Sequence, residues 1–379
     1  MATPNRQKKQ LESTSLLAMH VKKPWRAAEF PISTGPTSTS TLYIFNKRTG
    51  GRVTSQANSK LLIETLTGQR GARVPFWYMR QAGRYLPEYR EVRMRLGGFW
   101  DLVFNPEMAA EVTLQPVRRF QLDAAIIFSD ILTIPFALGQ NVTFLEKQGP
   151  VLDSLDYQKQ DLGLSRRKID DVLASIFETV RLTKKNLPKD VALIGFAGSP
   201  WTVATYMVEG KGTPGKEKTK AFFKGNSEQG RFLIETLVEA TVFYLERQIT
   251  AGAEAVQLFD SWAGALKGNE LASLCLEPTR KIVARIKKKH PGIPVIGYPK
   301  GIGDETKAYF SKTGIDAIGI DQTVDPAWAA EHLQPLGCVQ GNLDPALVAE
   351  GGTPMLDAAE KILRALTKGA HVFNLGHGI

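Results

Sequence analysis

Cysteine is nearly absent: the 379 residues contain only Cys275 and Cys338, far apart and outside any CxxC or Cys/His cluster. That excludes a disulfide framework and the usual structural zinc spacings, and it makes a reducing compartment the default. Long apolar runs are missing too. No stretch of about 18 apolar residues occurs, and the N-terminus lacks the compact apolar core of a secretory signal, so no membrane span is expected. The body of the chain also lacks a basic stripe. Of the net charge of +10, residues 1–58 carry nine Lys/Arg against Glu12 and Glu29, which leaves only +3 for residues 59–379. A nucleic-acid partner is therefore not expected. The one dense basic cluster, Lys287, Lys288, Lys289 and His290, follows Ile282, Val283 and Ile286 at helical spacing and precedes Pro291 and Gly292. It reads as the basic last turn of a helix.

What remains, 43% hydrophobic and 23% charged residues, is the composition of a globular protein able to bury a large core. The first 57 residues differ. They hold 14 Ser/Thr, a low-complexity tract from Ser33 to Thr41, and no acid between Phe30 and Ile63. Residues 1–57 are expected not to pack, whether as an organelle transit peptide, a disordered tail or a start assigned too far upstream. Residues 58–379 are expected to form one domain.

In that domain eight short apolar runs have the character of strands buried on both faces: residues 74–79, 124–129, 191–197, 255–259, 294–298, 317–320, 338–341 and 371–375. Segments of helical periodicity lie between them, as in Leu233, Thr236, Leu237 and Ala240. Eight strands alternating with helices predict an α/β fold, a (β/α)8 TIM barrel. A doubly wound sheet is the competitor, and no run leads into the GxGxxG turn it would favour. Nearly every run ends in a polar residue: Arg80, Asp130, Ser199, Asp260 with Ser261, Lys300, Asp321, Asn342 with Asp344, and His377. In a barrel these share the mouth where barrel enzymes place their sites.

After the first run, Met79-Arg80-Gln81-Ala82-Gly83-Arg84-Tyr85-Leu86-Pro87 presents two guanidinium forks in a loop. They suit bidentate capture of carboxylates, or else a surface loop paired with Glu88 and Glu91. This segment resembles the signature of the uroporphyrinogen decarboxylase family, and Gly195-Phe196-Ala197-Gly198-Ser199-Pro200-Trp201-Thr202, leading to Tyr206, resembles its second signature. The likeness runs from about Leu61 to the last residue. It takes in Phe128-Ser129-Asp130, Phe259-Asp260-Ser261, residues 339–345 and Asn374-Leu375-Gly376-His377-Gly378.

The resemblance implies a barrel enzyme, a carboxy-lyase of haem and chlorophyll biosynthesis. It would convert the four acetate arms of uroporphyrinogen III to methyl groups, giving coproporphyrinogen III, with no metal or organic cofactor. It implies a homodimer, in the cytoplasm, or in a plastid if the first 57 residues are a transit peptide. Carried over by position, it implies Asp130, Arg80, Tyr206 and His377 as catalytic residues. Substrate contacts would come from Arg80, Gln81, Arg84, Asp130, Phe259, Ser261, Tyr206 and His377.

The chemistry fits these residue types. Loss of carbon dioxide from an acetate leaves a carbanion, and a pyrrole protonated on a ring carbon is an iminium able to accept that electron pair, the part cofactors usually play. The protein must fix the macrocycle, supply cations for its carboxylates and deliver protons. Asp130 ends an apolar strand, and its four lone-pair sites match four pyrrole N–H groups; the alternative is an Asp capping the next helix. Ser199 before Pro200 fits a helix N-cap. Tyr206 would lie nearly two turns into that helix as a donor or a core tyrosine. His377 sits between two glycines that allow close approach. Gln322 stands where the family commonly has tryptophan, so packing at the sixth strand end is expected to differ. The chain stops at Ile379, where relatives continue into a final helix, so the barrel is expected to lack that helix. The competing functions are a truncated form that binds porphyrinogen without turnover, and a corrinoid-related methyltransferase of the same superfamily. The latter needs a thiolate-rich zinc site that an isolated Cys275 does not supply.

Overall fold

The computed structural model describes residues 60–145, 149–153, 166–211, 216–224 and 227–378. The expectations for residues 1–57 lie outside this set. The strands are β1 (Ala124–Ile126), β2 (Val142–Leu145), β3 (Gly149–Leu152), β4 (Ala192–Gly198), β5 (Ala255–Asp260), β6 (Val295–Pro299), β7 (Ala317–Gly319), β8 (Cys338–Gln340) and β9 (His371–Val372). Seven of them form a curled sheet in the order β1-β4-β5-β6-β7-β8-β9, every neighbouring pair parallel. β2 and β3 make a separate antiparallel hairpin that the apolar pattern did not announce.

The first expected strand is present as a hydrogen-bonded bridge between the two sheet edges. Phe76 pairs with Phe373 in parallel; the Phe373 N–H donates to Pro75 O at 2.9 Å and the Trp77 N–H to Phe373 O at 3.3 Å. On the other side the Asp123 N–H donates to Phe76 O at 3.0 Å. Asp123 fixes this junction with its side chain: it accepts from the Phe76 N–H at 2.9 Å and takes a two-pronged ion pair from Arg73 at 2.7 and 2.6 Å. Short apolar runs of this kind form parallel strands because helices cover their outer face and neighbouring side chains fill the inner one.

Helices follow the strands, among them Pro200–Glu209 after β4, Glu228–Ala251 before β5 and Glu277–Lys289 before β6. The last ends in Lys287, Lys288 and Lys289, as its sequence predicts. Lys289 pairs with Glu246 at 2.8 Å and Lys287 with Asp316. The interior of the curl is not purely apolar. The Trp77 indole N–H donates to Gln340 Oε1 at 3.0 Å, and Gln340 Nε2 donates to Gln257 Oε1 at 3.1 Å, all three residues fully buried. Gly319 makes room beside this chain, since a Cβ there would stand 2.9 Å from the Tyr298 ring. After β9, Phe373 and Leu375 make single parallel bridges to Phe76 and Leu343.

Candidate active site

Strand alternation decides which side chains reach the mouth. On β5, Gln257 points inward to Gln340 and Phe259 lies two residues on, its ring edge-on to Phe196 at 5.5 Å and to Tyr298 at 5.8 Å. Ser261 continues the same face, half-buried. Asp260 falls on the other face. Its carboxylate is buried among the outer helices, accepting from Thr202 Oγ at 2.5 Å, and burial pushes it up to about 6. Placing Asp260 in the mouth beside Ser261, as the row of strand-end residues suggested, is therefore corrected.

The loop after the first strand is anchored by Asn374 and Gln81. Met79 N–H donates to Asn374 Oδ1 at 3.0 Å. The Gln81 side chain is buried and committed to the backbone, its Oε1 accepting from the Tyr78 N–H at 3.2 Å and its Nε2 donating to Ala124 O at 3.1 Å. Those two bonds make Gln81 a brace for the loop. Between these anchors Arg80 adopts a left-handed backbone, φ 60°, a conformation sparsely used by residues with a side chain and held here by its surroundings. The side chain of Arg80 then lies across Gly378, where a Cβ would approach its Cδ to 2.4 Å.

Arg80 is the charge around which the mouth is organised. Asp130, half-buried at the end of the β1 segment, accepts from the Leu132 N–H at 2.8 Å. Burial raises its carboxyl to about 6, against the opposing pull of that N–H and of Arg80. Asp130 closes a local turn with one oxygen and does not cap helix Thr133–Ala137, and the Arg80 charge acts on its carboxyl. The Tyr206 phenol, raised by burial, senses both Asp130 and Arg80. Its ring packs against Trp262 at 6.1 Å between centroids. Behind Asp130, Ser129 Oγ and the Tyr244 hydroxyl share a hydrogen bond at 3.2 Å.

His377 forms the opposite side. It is half-buried, with Nδ1 3.4 Å from Gly378 O. Burial, followed by the positive charges of Lys300 and Arg80, lowers its imidazole to about 4, and Asp321 only partly opposes them. The ring is therefore neutral at pH 7. The Tyr298 hydroxyl donates to Gly376 O at 2.6 Å, pinning the segment that carries His377. Gly376 lies against the backbone of Gln322, a Cβ there meeting Gln322 N at 2.3 Å, so the departure at Gln322 touches the His377 segment through the main chain.

Arg80, Asp130, Tyr206 and His377 are thus brought into one electrostatic neighbourhood, with Phe259 and Ser261 on the same inner face. Arg84 stands apart from it, exposed, its charge acting on Tyr89. Ser199 occupies the N-cap position of helix Pro200–Glu209 with Pro200 next, yet makes no capping bond, and its buried Oγ has no partner. The cap expected of Ser199 is corrected to that extent. Sequence reasoning missed Trp262, Tyr298 and Asn374. Period-two extension from Gln257 and Phe259 stops short of Trp262, whereas Tyr298 two residues before Lys300 carried a usable signal. Among the described residues no three His, Cys, Asp or Glu side chains are grouped so as to hold a metal ion.

The model for the uroporphyrinogen decarboxylase (URO-D) family matches residues 57–379. The uroporphyrinogen decarboxylase of Ruegeria pomeroyi is 48% identical over 324 residues, covering 85% of this chain and 94% of the relative. That of Erythrobacter litoralis is 49% identical over 321 residues, covering 84% and 93%. A solved methyltransferase from Methanosarcina mazei superposes with a TM-score of 0.64 at 17% identity, covering 84% of this chain and 92% of that one, a likeness of fold alone. With its match spanning the whole described domain, the chain belongs to the uroporphyrinogen decarboxylase family.

Proposed function

We propose that this protein decarboxylates the four acetate arms of uroporphyrinogen III to give coproporphyrinogen III, in the mouth built around Arg80 and Asp130. The observation that carries the reading is the family match that covers the described domain; the charges of Asp130 and Arg80 both act on Tyr206. The ring formed by the seven strands and residues 75–77 is read as a (β/α)8 barrel, which puts these groups at its catalytic end.

At pH 7 Asp130, titrating near 6, is mostly ionised and accepts the pyrrole N–H groups of a puckered macrocycle. Its charge stabilises the iminium formed when a ring carbon takes a proton. The bond between the acetate methylene and its carboxylate carbon then breaks. Its electron pair moves toward the iminium nitrogen, and carbon dioxide leaves. The methylene carbon takes one proton, the ring carbon gives its proton back, and a methyl group remains, so each arm consumes one proton net. Arg80 holds the reacting arm's neighbourhood by its guanidinium fork. Tyr206 and the neutral His377 position the macrocycle, with Phe259 and Ser261 lining the pocket and Arg84 meeting an outer carboxylate.

Anaerobic incubation with uroporphyrinogen III, followed by oxidation and separation of the porphyrins by carboxylate number, tests this. The series from eight carboxylates to four is expected; unchanged substrate would sink the proposal. Residues 1–57 are proposed to be dispensable, and deletion of residues 1–55 is expected to leave the rate within about twofold. The bacterial relatives favour a cytoplasmic enzyme, checked by the distribution of a fluorescent reporter fused to residues 1–60. A homodimer is checked by sedimentation equilibrium.

A further inference from the structure

Beyond Arg80, the charge of a second cation reaches His377. Lys300 follows β6 directly, two residues after Tyr298, whose hydroxyl reaches across to Gly376 O at 2.6 Å. It therefore continues the inward face of that strand, while Gly297, backed by Tyr309, belongs to the outer face. The backbone of Lys300 is held on both sides. Its N–H donates to Asp260 O at 3.0 Å, and its carbonyl accepts from the Gly264 N–H at 2.9 Å. Gly264 is needed for that approach, since a Cβ on it would stand 2.7 Å from Gly301 O.

The carboxylate whose charge also acts on His377 is Asp321, and it is already hydrogen-bonded. It accepts from the Gly301 N–H at 2.7 Å and the Thr323 N–H at 2.8 Å, and also from the Thr323 hydroxyl. Among the described residues the half-buried Lys300 ammonium makes no ion pair or side-chain hydrogen bond, although its charge acts on His377. Around His377 two cations, Arg80 and Lys300, face one carboxylate that is already hydrogen-bonded. A half-buried cation without a partner is costly unless an anion arrives with the ligand.

We propose that Lys300 is a specificity-determining residue that binds one carboxylate arm of the substrate beside His377, separately from the arms met by Arg80 and Arg84. This rests on the reading of the mouth as a site for a multicarboxylate tetrapyrrole. An ammonium is a compact point charge with rotatable donors, suited to a flexible arm that changes position as the macrocycle turns between successive decarboxylations.

The test uses the full chain with Lys300→Met, which keeps length and removes charge, and Lys300→Arg, which restores charge. Uroporphyrin, aromatic and unreactive, serves as the binding probe through its fluorescence, with coproporphyrin as the companion bearing only propionates. Lys300→Met is expected to weaken uroporphyrin binding at least tenfold and to raise KM for uroporphyrinogen similarly with kcat within threefold. Lys300→Arg is expected to recover most of the affinity. A loss confined to uroporphyrin assigns the arm as an acetate, and an equal loss for both porphyrins assigns it as a propionate. The His377 ring, followed by NMR in Lys300→Met, is expected to titrate at higher pH than in the parent, which also reports that the variant is folded. Parent-like uroporphyrin affinity in a folded Lys300→Met, or a loss that Lys300→Arg does not repair, overturns the proposal. A parent that binds uroporphyrin but leaves uroporphyrinogen unchanged overturns the assigned activity instead, and the binding comparison then decides Lys300 alone.

Discussion

The side chain of Arg80 rests on the backbone of Gly378, with its Cγ, Cδ and Nε all within 3 Å of where a Cβ would project. This contact joins the first strand end to the last and sets the position of the guanidinium. Gly378→Ala should displace Arg80 without removing a functional group. We expect at least a tenfold fall in kcat/KM with little change in melting temperature, because only a side chain at the rim must move. Parent-like kinetics in Gly378→Ala would show that the placement of Arg80 is not critical.

Asp130→Asn should separate stability from activity. The folded protein holds the Asp130 proton more tightly than the unfolded chain, about 6 against 3.8. Ionising it therefore costs nothing below about pH 4, progressively more toward pH 6, and a constant amount above that. The amide escapes the cost. At neutral pH the variant should be more stable by about 1–3 kcal/mol, the lower end reflecting solvent access to a half-buried carboxylate. Decarboxylation should fall by at least about a hundredfold. Urea denaturation at pH 4.5 and 7.5, with rates measured at the latter, checks both halves; activity within threefold of the parent would remove the electrostatic role.

His377 predicts the opposite slope. Its folded value of about 4 lies below the ordinary 6.5, so the unfolded state takes up the proton first. The contribution of His377 is complete above about pH 6.5 and is lost as the pH falls toward 4. His377→Asn should flatten the acid limb of the stability profile measured by urea denaturation from pH 4 to 7. It should also leave partial activity with partly decarboxylated intermediates accumulating, since positioning is impaired and no proton donor is lost. Tyr206→Phe should behave likewise in product analysis.

The two arginines should differ from each other. Both are exposed, but the Arg80 charge acts on Asp130 and His377, whereas that of Arg84 acts on Tyr89. Lysine keeps charge but not the fork. Arg80→Lys should lower kcat by ten- to a hundredfold, and Arg84→Lys should raise KM by about threefold or less with kcat unchanged. Steady-state kinetics on both variants checks the ordering.

Much of this was legible in the chain. Parallel strands buried on both faces must be short and apolar, so eight such runs separated by helical periodicity announced the alternation of strand and helix, and their polar ends announced a mouth. The hairpin β2–β3 was not among the expected strands, because Val142-Thr143-Phe144-Leu145 alternates buried and exposed residues instead of forming a run buried on both faces. Nor was the polar chain Trp77–Gln340–Gln257, since glutamines inside strands look like interruptions until a partner from a distant strand satisfies them.

The sequence by itself determined the periodicities, the strand ends and the family signatures, because these are properties of neighbouring residues and of local backbone preference. Tertiary structure alone decided which strand-end groups share a space. It turned Asp260 outward to Thr202, spent Gln81 on the backbone, and placed Arg80 over Gly378, nearly 300 positions away. Those outcomes depend on strand register, through which a one-residue difference reverses the face of a side chain, and on contacts between residues far apart in the chain. No local pattern contains that information.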